Sequence, residues 1–582
     1  MVYRLADNIL SPLGETTEQN YQAVKAGRSA LRRYEQQWGI PEPFTASLFT
    51  ETQDAAMAVE GLTRFESLAF TSASKAIEAS PIDVSASNVV FILSTTKGNI
   101  ELIFDSKQDD TAIYPGTAAR HIARRLGITT KPITVCNACI SGVSAIILAM
   151  RLLEAKCYDY AVVCGADVQN KFTVSGFQSL KAISEDECKP FDLERIGLNL
   201  GEAAATLVLT NQPVNNGWAV ESGAVSNDAF HISSPSKNGE GAWLALSSVI
   251  EGVDTTDLAF VNAHGTATMF NDQMESVAIE RAGLSDVPVN ALKGYFGHTL
   301  GAAGIMETIL SMAAADDHTV LATRGFQEMG VSGKIQLSAQ NVTTEKASFV
   351  KMISGFGGCN AAILVTKPSS SPFTLHPSPS TLHPLPSTLH PSHSLKLTPS
   401  SLVVDGTPVA VEETGGELLT WLYKHYVDDY PKYYKMDGLS RLGFIASELL
   451  LMQEARNESK ERKVKSEETY QDRAVILFNR SSSIVADRKY LESITPDDYF
   501  PSPSVFVYTL PNIVTGEIAM RNHYHGETSF YIVDERNDEQ IWQTLRASFA
   551  DQKTKSIIGG WIDYQDDSHF EADIYIIELR DN

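Results

Sequence analysis

Over the first 366 positions, short apolar runs alternate with longer stretches rich in small residues. NVVFILSTT (88–96), KPITVC (131–136) and YDYAVVCGAD (158–167) are short and almost uniformly apolar, and predict buried strands. AAATLVLTN (203–211) adds another. Between them, AARHIARRLG (118–127) predicts a helix ending at Gly127. SGVSAIILAMRLLEAK (141–156) predicts a helix apolar almost all round, one that belongs between layers. The alternation continues through AWLALSSVIEGV, DLAFVNAHG, DQMESVAIERAG, VPVNALKG, TLGAAGIMETILSMAAA, KASFVKMIS and NAAILVTK. This is the pattern of an α/β protein with buried sheets.

An internal echo runs through it. A strand leads into Cys139 and then SGVSAIILAM; later, VNALKGYFG leads into His298 and then LGAAGIMETIL. Each arrangement sets one reactive side chain just ahead of a buried, small-residue helix. Two such halves packed back to back would bring both helix N-termini to a common centre.

The pattern breaks sharply once. Residues 368–400 hold eight prolines and nine serines, with a seven-residue unit in three copies, TLHPSPS, TLHPLPS and TLHPSHS, over 374–394. Proline at fixed positions excludes a helix or a central strand, so 368–402 reads as an extended linker. Its four histidines belong to the repeated unit and are not read as a metal site. Beyond it, 403–582 shows a helix at GLSRLGFIASELLLM (438–452), strand-like SIIGGWIDY and EADIYIIEL, and a helical EQIWQTLRASFAD. The charged stretch 455–472 reads as a helix end followed by a loop. The expected organisation is therefore 1–367, a linker at 368–402, and a second unit at 403–582.

Composition narrows the partners. The chain has 582 residues, 43% of them apolar and 20% charged, which suffices for ordinary cores and excludes wholesale disorder. Its net charge of −24 argues against nucleic acid or an anionic membrane as the main partner. Apolar runs reach about ten residues, well short of the roughly 20 of a membrane helix. The opening MVYRLADNIL lacks a secretory pattern, and six cysteines in 582 residues make no disulfide scaffold, so a cytoplasmic setting is expected.

The chemistry gathers at a few positions. Cys139, in NACISG, precedes a helix whose positive end favours a thiolate, among small neighbours that permit a tight turn. Read alone, it is a nucleophile or a buried structural cysteine. His264 (VNAHGTATMFND) and His298 (GYFGHTLGAAG) each follow a strand and sit beside glycine. Neutral imidazoles so placed can donate to an oxygen on which charge develops. Lys293 could order them through a buried pair with Glu307. The turn GFGGCN (355–360) has no helix behind it and is no dinucleotide fingerprint. It offers Phe356 as a mobile wall and backbone N–H groups, with Gly357, for an oxyanion.

These blocks in this order resemble the β-ketoacyl-[acyl-carrier-protein] synthases of the thiolase-like superfamily over about 1–366. The likeness rests on NACISG, PFDLERIGLNLGEAAATLVL (190–209), NAHGTATMFNDQME (262–275), KGYFGHTLGAAGIME (293–307) and GFGGCNAAILV (355–365). It implies a five-layered αβαβα fold of two duplicated halves, with an additional α/β half-domain after the linker. It implies Cys139 as acyl acceptor, His264 and His298 assisting decarboxylation of a malonyl extender, and Lys293 and Glu307 holding the network. Phe356 would gate the pocket, with its surrounding backbone, Gly357 included, as the oxyanion region. The implied reaction is decarboxylative Claisen condensation of an acyl thioester with malonyl carrier protein, in fatty acid, polyene or polyketide synthesis, with no cofactor and no metal. Implied partners are an acyl carrier protein and a homodimer or heterodimer mate. Ala203, where the family usually has glycine, and KGYFGH, in place of the commoner KS-x-x-GH form, bear on pocket shape and leave the acyl chain open.

Residues 435–582 also look like the first half of a ketosynthase. YHGETSF (524–530) replaces the nucleophile block, and no cysteine follows 359, so a truncated noncatalytic copy is expected there. The alternative for the whole chain is a noncatalytic subunit of chain-length-factor type that shapes a partner's acyl tunnel.

Overall fold

The computed structural model describes residues 1–105, 110–367, 389–461, 472–495, 499–551 and 553–579. The fold is built on three sheets with one repeated pairing scheme. In the first, β1 (Val2–Leu10), β2 (Val89–Ser94), β3 (Ile133–Val135), β4 (Tyr160–Asp167) and β5 (Ala203–Thr210) lie in the order β1–β5–β4–β2–β3. β2 is parallel to β3 and β4, and the remaining pairs are antiparallel. Every residue of β2, β3 and β5 is buried, which is why these strands read as continuous apolar runs.

The second sheet repeats the scheme. β6 (Ala219–Asn227), β7 (Leu258–Asn262), β8 (Pro288–Asn290), β9 (Ser348–Ser354) and β10 (Cys359–Thr366) lie in the order β6–β10–β9–β7–β8, with the same alternation of parallel and antiparallel pairs. β1 and β6 escape the sequence reading. The middle of β6 is half-exposed Glu-Ser-Gly-Ala, which carries no apolar run.

Between the sheets run α1 (Ser141–Glu154) and α2 (Ala303–Asp316). All but the last residue of α1 is buried, as its unbroken apolar circumference predicts. The two helices meet at glycines. A Cβ on Gly304 would lie 2.6 Å from the Val143 nitrogen, and one on Gly142 would lie 3.0 Å from the Gly301 carbonyl. Their N-termini therefore converge at one centre, as the internal echo anticipates. The helix expected at 118–127 begins earlier, at Pro115, whose fixed φ suits a first helical position, and it ends at Gly127 with φ +82°.

The linker expectation needs adjustment. Most of it, 368–388, lies outside the described residues, but Pro391–Thr398 forms β11. Proline is tolerated there because it is the strand's first residue. β11 pairs with β12 (Ser401–Val404) and with a late strand, so structured chain resumes before 403. The long helix α3 (Gly438–Glu461) bears out helix at the start of the charged stretch; 462–471 lie outside the described residues.

The third sheet is completed by β13 (Ala474–Asn479), β14 (Thr528–Ile532), β15 (Ser556–Asp566) and β16 (His569–Glu578), in the order β11–β16–β15–β13–β14. It is continuous with the first sheet, because β14 pairs antiparallel with β3 through Tyr531 with Val135 and Ile532 with Thr134. The β3 edge, otherwise an open row of unpaired backbone groups, is thus covered by the same chain.

Candidate active site

Cys139 lies in a single 3-10 turn, Ala138–Ile140, between β3 and α1. Ala138 has φ +47°, a left-handed conformation that costs a residue with a Cβ and turns the chain sharply enough to present the next side chain. The second half repeats the device. Leu300, with φ +51°, opens the turn Leu300–Ala302 ahead of α2, two residues after His298.

The fold brings Cys139, His264 and His298 together. One reactive side-chain atom of each lies within 4.8 Å of the others, and all three residues are buried. The two imidazole rings sit edge to face, 4.9 Å between centroids. Nδ1 of His298 accepts the Leu300 backbone N–H at 3.2 Å, so the ring carries its proton on Nε2. That Nε2 is buried without a hydrogen-bond partner among the described residues, as is Nδ1 of His264. Buried polar atoms are rarely left so, and both belong to the cluster around Cys139.

Electrostatics keeps both histidines neutral. Burial, then the positive charge of Lys293, holds each imidazole well below its ordinary value. Lys293 Nζ donates to the His264 carbonyl at 2.7 Å and to Glu307 Oε1 at 2.8 Å. Burial would raise the Glu307 carboxyl, but Lys293 and Lys351 together carry it below its usual range.

Lys351 is a member of this network that sequence reasoning missed. It sits within the apolar run of β9, yet its Nζ lies 2.5 Å from Glu307 Oε2 and 3.2 Å from the Ala263 carbonyl. A lone lysine inside an apolar strand, facing a buried glutamate, is the signal that could have found it. Glu275 was missed too. It accepts the backbone N–H groups of His264 and Gly265 at 2.7 and 2.8 Å and so fixes the His264 turn.

The Cys139 sulfur behaves differently from the sequence expectation. Burial outweighs the neighbouring Lys293 charge and pushes the thiol up to about 12, although the backbone N–H groups of Cys139 and Phe356 lie close enough to the sulfur to oppose it. The resting nucleophile is therefore a thiol. Those two N–H groups mark where a developing oxyanion would be received. Gly357 does not contribute a free donor as anticipated: its N–H already donates to the Ile232 carbonyl at 2.7 Å. Cys136 is a structural neighbour, its sulfur 3.0 Å from the Thr95 carbonyl.

A small apolar cavity opens at Cys139, lined by Ala138, Thr173, Phe177 and Phe356 together with Phe506 and Leu510. The last two come from beyond the linker. That part also reaches the nucleophile's turn, since Phe530 N–H donates to Asn137 Oδ1 at 2.6 Å and Cys136 N–H donates to the Phe530 carbonyl at 3.1 Å.

Comparison with known proteins places this geometry. Residues 6–214 match the model described as Beta-ketoacyl synthase, N-terminal domain, and 218–327 match Beta-ketoacyl synthase, C-terminal domain, together more than half of the chain. The 3-oxoacyl-[acyl-carrier-protein] synthase 2 of Rhizobium meliloti is 32% identical over 255 residues, 40% of this chain and 60% of that protein. The chain thus spans less than two thirds of that relative's length. Among solved structures, a ketosynthase in complex with its chain length factor from Xenorhabdus doucetiae aligns at TM-score 0.55 and 25% identity over 63% of this chain and 98% of that one. A structure titled PfaC Keto synthase-Chain length factor aligns at TM-score 0.75 over 99% of this chain and 78% of that one, at 15% identity, a likeness of fold.

One expectation is corrected by these matches. A truncated, nucleophile-lacking ketosynthase copy was anticipated at about 435–582, but both matched regions lie within 6–327 and the Cys139–His264–His298 cluster there is intact. The residues after the linker are additional structure beside the intact Cys139–His264–His298 cluster, and their sheet already draws on strands from Pro391 onward.

Proposed function

The chain belongs to the β-ketoacyl synthase family, and from that premise we propose that it catalyses decarboxylative condensation of an acyl thioester with malonyl carrier protein. The observation that carries this reading is the convergence of a thiol and two neutral imidazoles within 4.8 Å of one another in the buried interior, with the backbone N–H groups of Cys139 and Phe356 beside the sulfur. In the first step the Cys139 sulfur attacks the thioester carbonyl. The tetrahedral oxygen is received by the N–H groups of Cys139 and Phe356; the carrier thiol departs with the cysteine proton, leaving a thioester on Cys139. In the second, the malonyl carboxylate leaves as carbon dioxide. The enolate oxygen is held by the Nε2–H of His298, with His264 at its other side. The enolate carbon attacks the acyl group on Cys139, and the released thiolate takes up a proton.

The support extends to fold and partner. Two sheets of identical pairing around two buried central helices support the five-layered αβαβα arrangement. The acyl and malonyl groups would arrive on a carrier protein in fatty acid, polyene or polyketide synthesis. In the solved complexes a ketosynthase is accompanied by a chain length factor; here we assign the companion role to residues 389–579, which occupy the β3 edge and supply Phe506 and Leu510 to the cavity. The units are then 1–367 and an additional part after the linker. The intact cluster weighs against a wholly noncatalytic subunit. The test is release of carbon dioxide and appearance of a 3-oxoacyl thioester when the protein alone is given acyl and malonyl carrier protein. No release without an added second ketosynthase would overturn the reading.

A further inference from the structure

The donor turn at the site is held from several directions, and one hold comes from across the linker. Gly355 N–H donates to the Cys359 carbonyl at 2.8 Å, and Gly357 N–H to Ile232. The Gly357 carbonyl accepts Asn227 Nδ2 at 2.8 Å. The Phe356 carbonyl accepts Asn512 Nδ2 at 2.8 Å, with the Cys359 thiol at 3.2 Å as a weaker partner. The peptide after Phe356 is held at both its carbonyl and its N–H, and the peptide ahead of Gly355 is held too, so the 355–356 peptide that carries the Phe356 N–H beside the Cys139 sulfur is bracketed by fixed neighbours.

Two further observations single out Asn512. Its Oδ1 is buried without a hydrogen-bond partner among the described residues, so the amide carries a desolvation cost that an apolar side chain of its size would avoid. It also stands at the N-cap position of the helix Ile513–Asn522 without its side chain capping that helix, and Gly516 of the helix lies against the same turn. A Cβ at Gly516 would stand 2.5 Å from the Gly357 carbonyl, so only glycine lets that helix approach the turn so closely.

We propose that Asn512 is a positioning residue for the oxyanion donor at Phe356, so that the part after the linker completes the site that acylates Cys139. The assignment rests on the condensing reading above. It predicts that substituting Asn512 slows acyl transfer by misaligning the donor while leaving the nucleophile itself in place.

The experiment uses the full chain with Asn512→Asp, which keeps the volume but presents an acceptor to the Phe356 carbonyl, and Asn512→Ala. Acylation of Cys139 by octanoyl-coenzyme A is followed by intact mass beside alkylation by iodoacetamide, which builds no oxyanion. The expected result is acylation slowed on the order of 10–10²-fold, somewhat less than loss of a donor outright, with KM and the alkylation rate unchanged. Equal acylation in variant and wild type, or acylation and alkylation falling together, would overturn the assignment and leave the condensing reading standing. A wild-type protein that takes no acyl group would overturn both.

Discussion

Lys97 Nζ lies 2.5 Å from Asp487 Oδ1, with both side chains almost wholly buried. The lysine follows the β2 strand of the first sheet; the aspartate lies beyond the linker. The ammonium also donates to the Thr509 carbonyl, stands 5.4 Å over the Phe172 ring and borders the cavity at Cys139. Arg151 of α1 and Glu527 make a second buried pair across the same boundary at 2.5 Å. Two buried ion pairs and a shared strand edge join the parts into one body around the site.

Removing one member of such a pair strands the other charge without water, which typically costs about 3–5 kcal/mol. Asp487→Asn and Lys97→Met should each lower the thermal midpoint markedly. The double variant Lys97→Met/Asp487→Leu should be more stable than either single one. Scanning calorimetry checks this, and additive losses would show that the pair is not coupled.

Cys139→Ala should fold normally and take no acyl group. Intact-mass measurement after mixing with acyl carrier thioester reads the outcome. An adduct equal to that of wild type would place the nucleophile elsewhere.

His298→Ala removes the Nε2–H donor, which makes no hydrogen bond to the attacking sulfur. Acylation should proceed almost normally while condensation falls on the order of 10²–10³-fold, the usual loss for one oxyanion donor. Equal loss in both steps would make His298 the cysteine's base.

The site's charges set its pH behaviour. Burial and Lys293 hold both imidazoles well below the ordinary histidine value near about 6.5, so decarboxylation should show no acid limb there. Burial raises the Cys139 thiol to about 12, so the thiolate fraction grows with pH throughout the neutral range. Iodoacetamide alkylation of Cys139 should climb roughly tenfold per pH unit up to about pH 10. A plateau near pH 7 would show a thiolate already formed.

Gly304→Ala drives a methyl to within 2.6 Å of a backbone nitrogen, which cannot move aside as a side chain can. Overpacking of this kind typically costs about 1–3 kcal/mol. A thermal midpoint equal to wild type would mean that the two central helices can part without loss.

Local chemistry carried much of the picture. The apolar runs at 88–96 and 158–167 specified buried strands, the unbroken apolar circumference of 141–154 specified a central helix, and the glycine-flanked turns exposed Cys139, His264 and His298 as candidates. Those features are local, so residue order and period suffice to read them. What the tertiary structure alone decided depends on distance and burial. It placed Lys351 on Glu307, consumed the Gly357 N–H at Ile232, made Cys139 a thiol by withdrawing water, and brought Asn512, Phe506 and Lys97's partner Asp487 to the site. A charge inside an apolar strand, or an amide beyond a proline-rich break, acquires its meaning only from the group it meets across the fold. Desolvation then sets the strength of that meeting, and no window of sequence contains both partners.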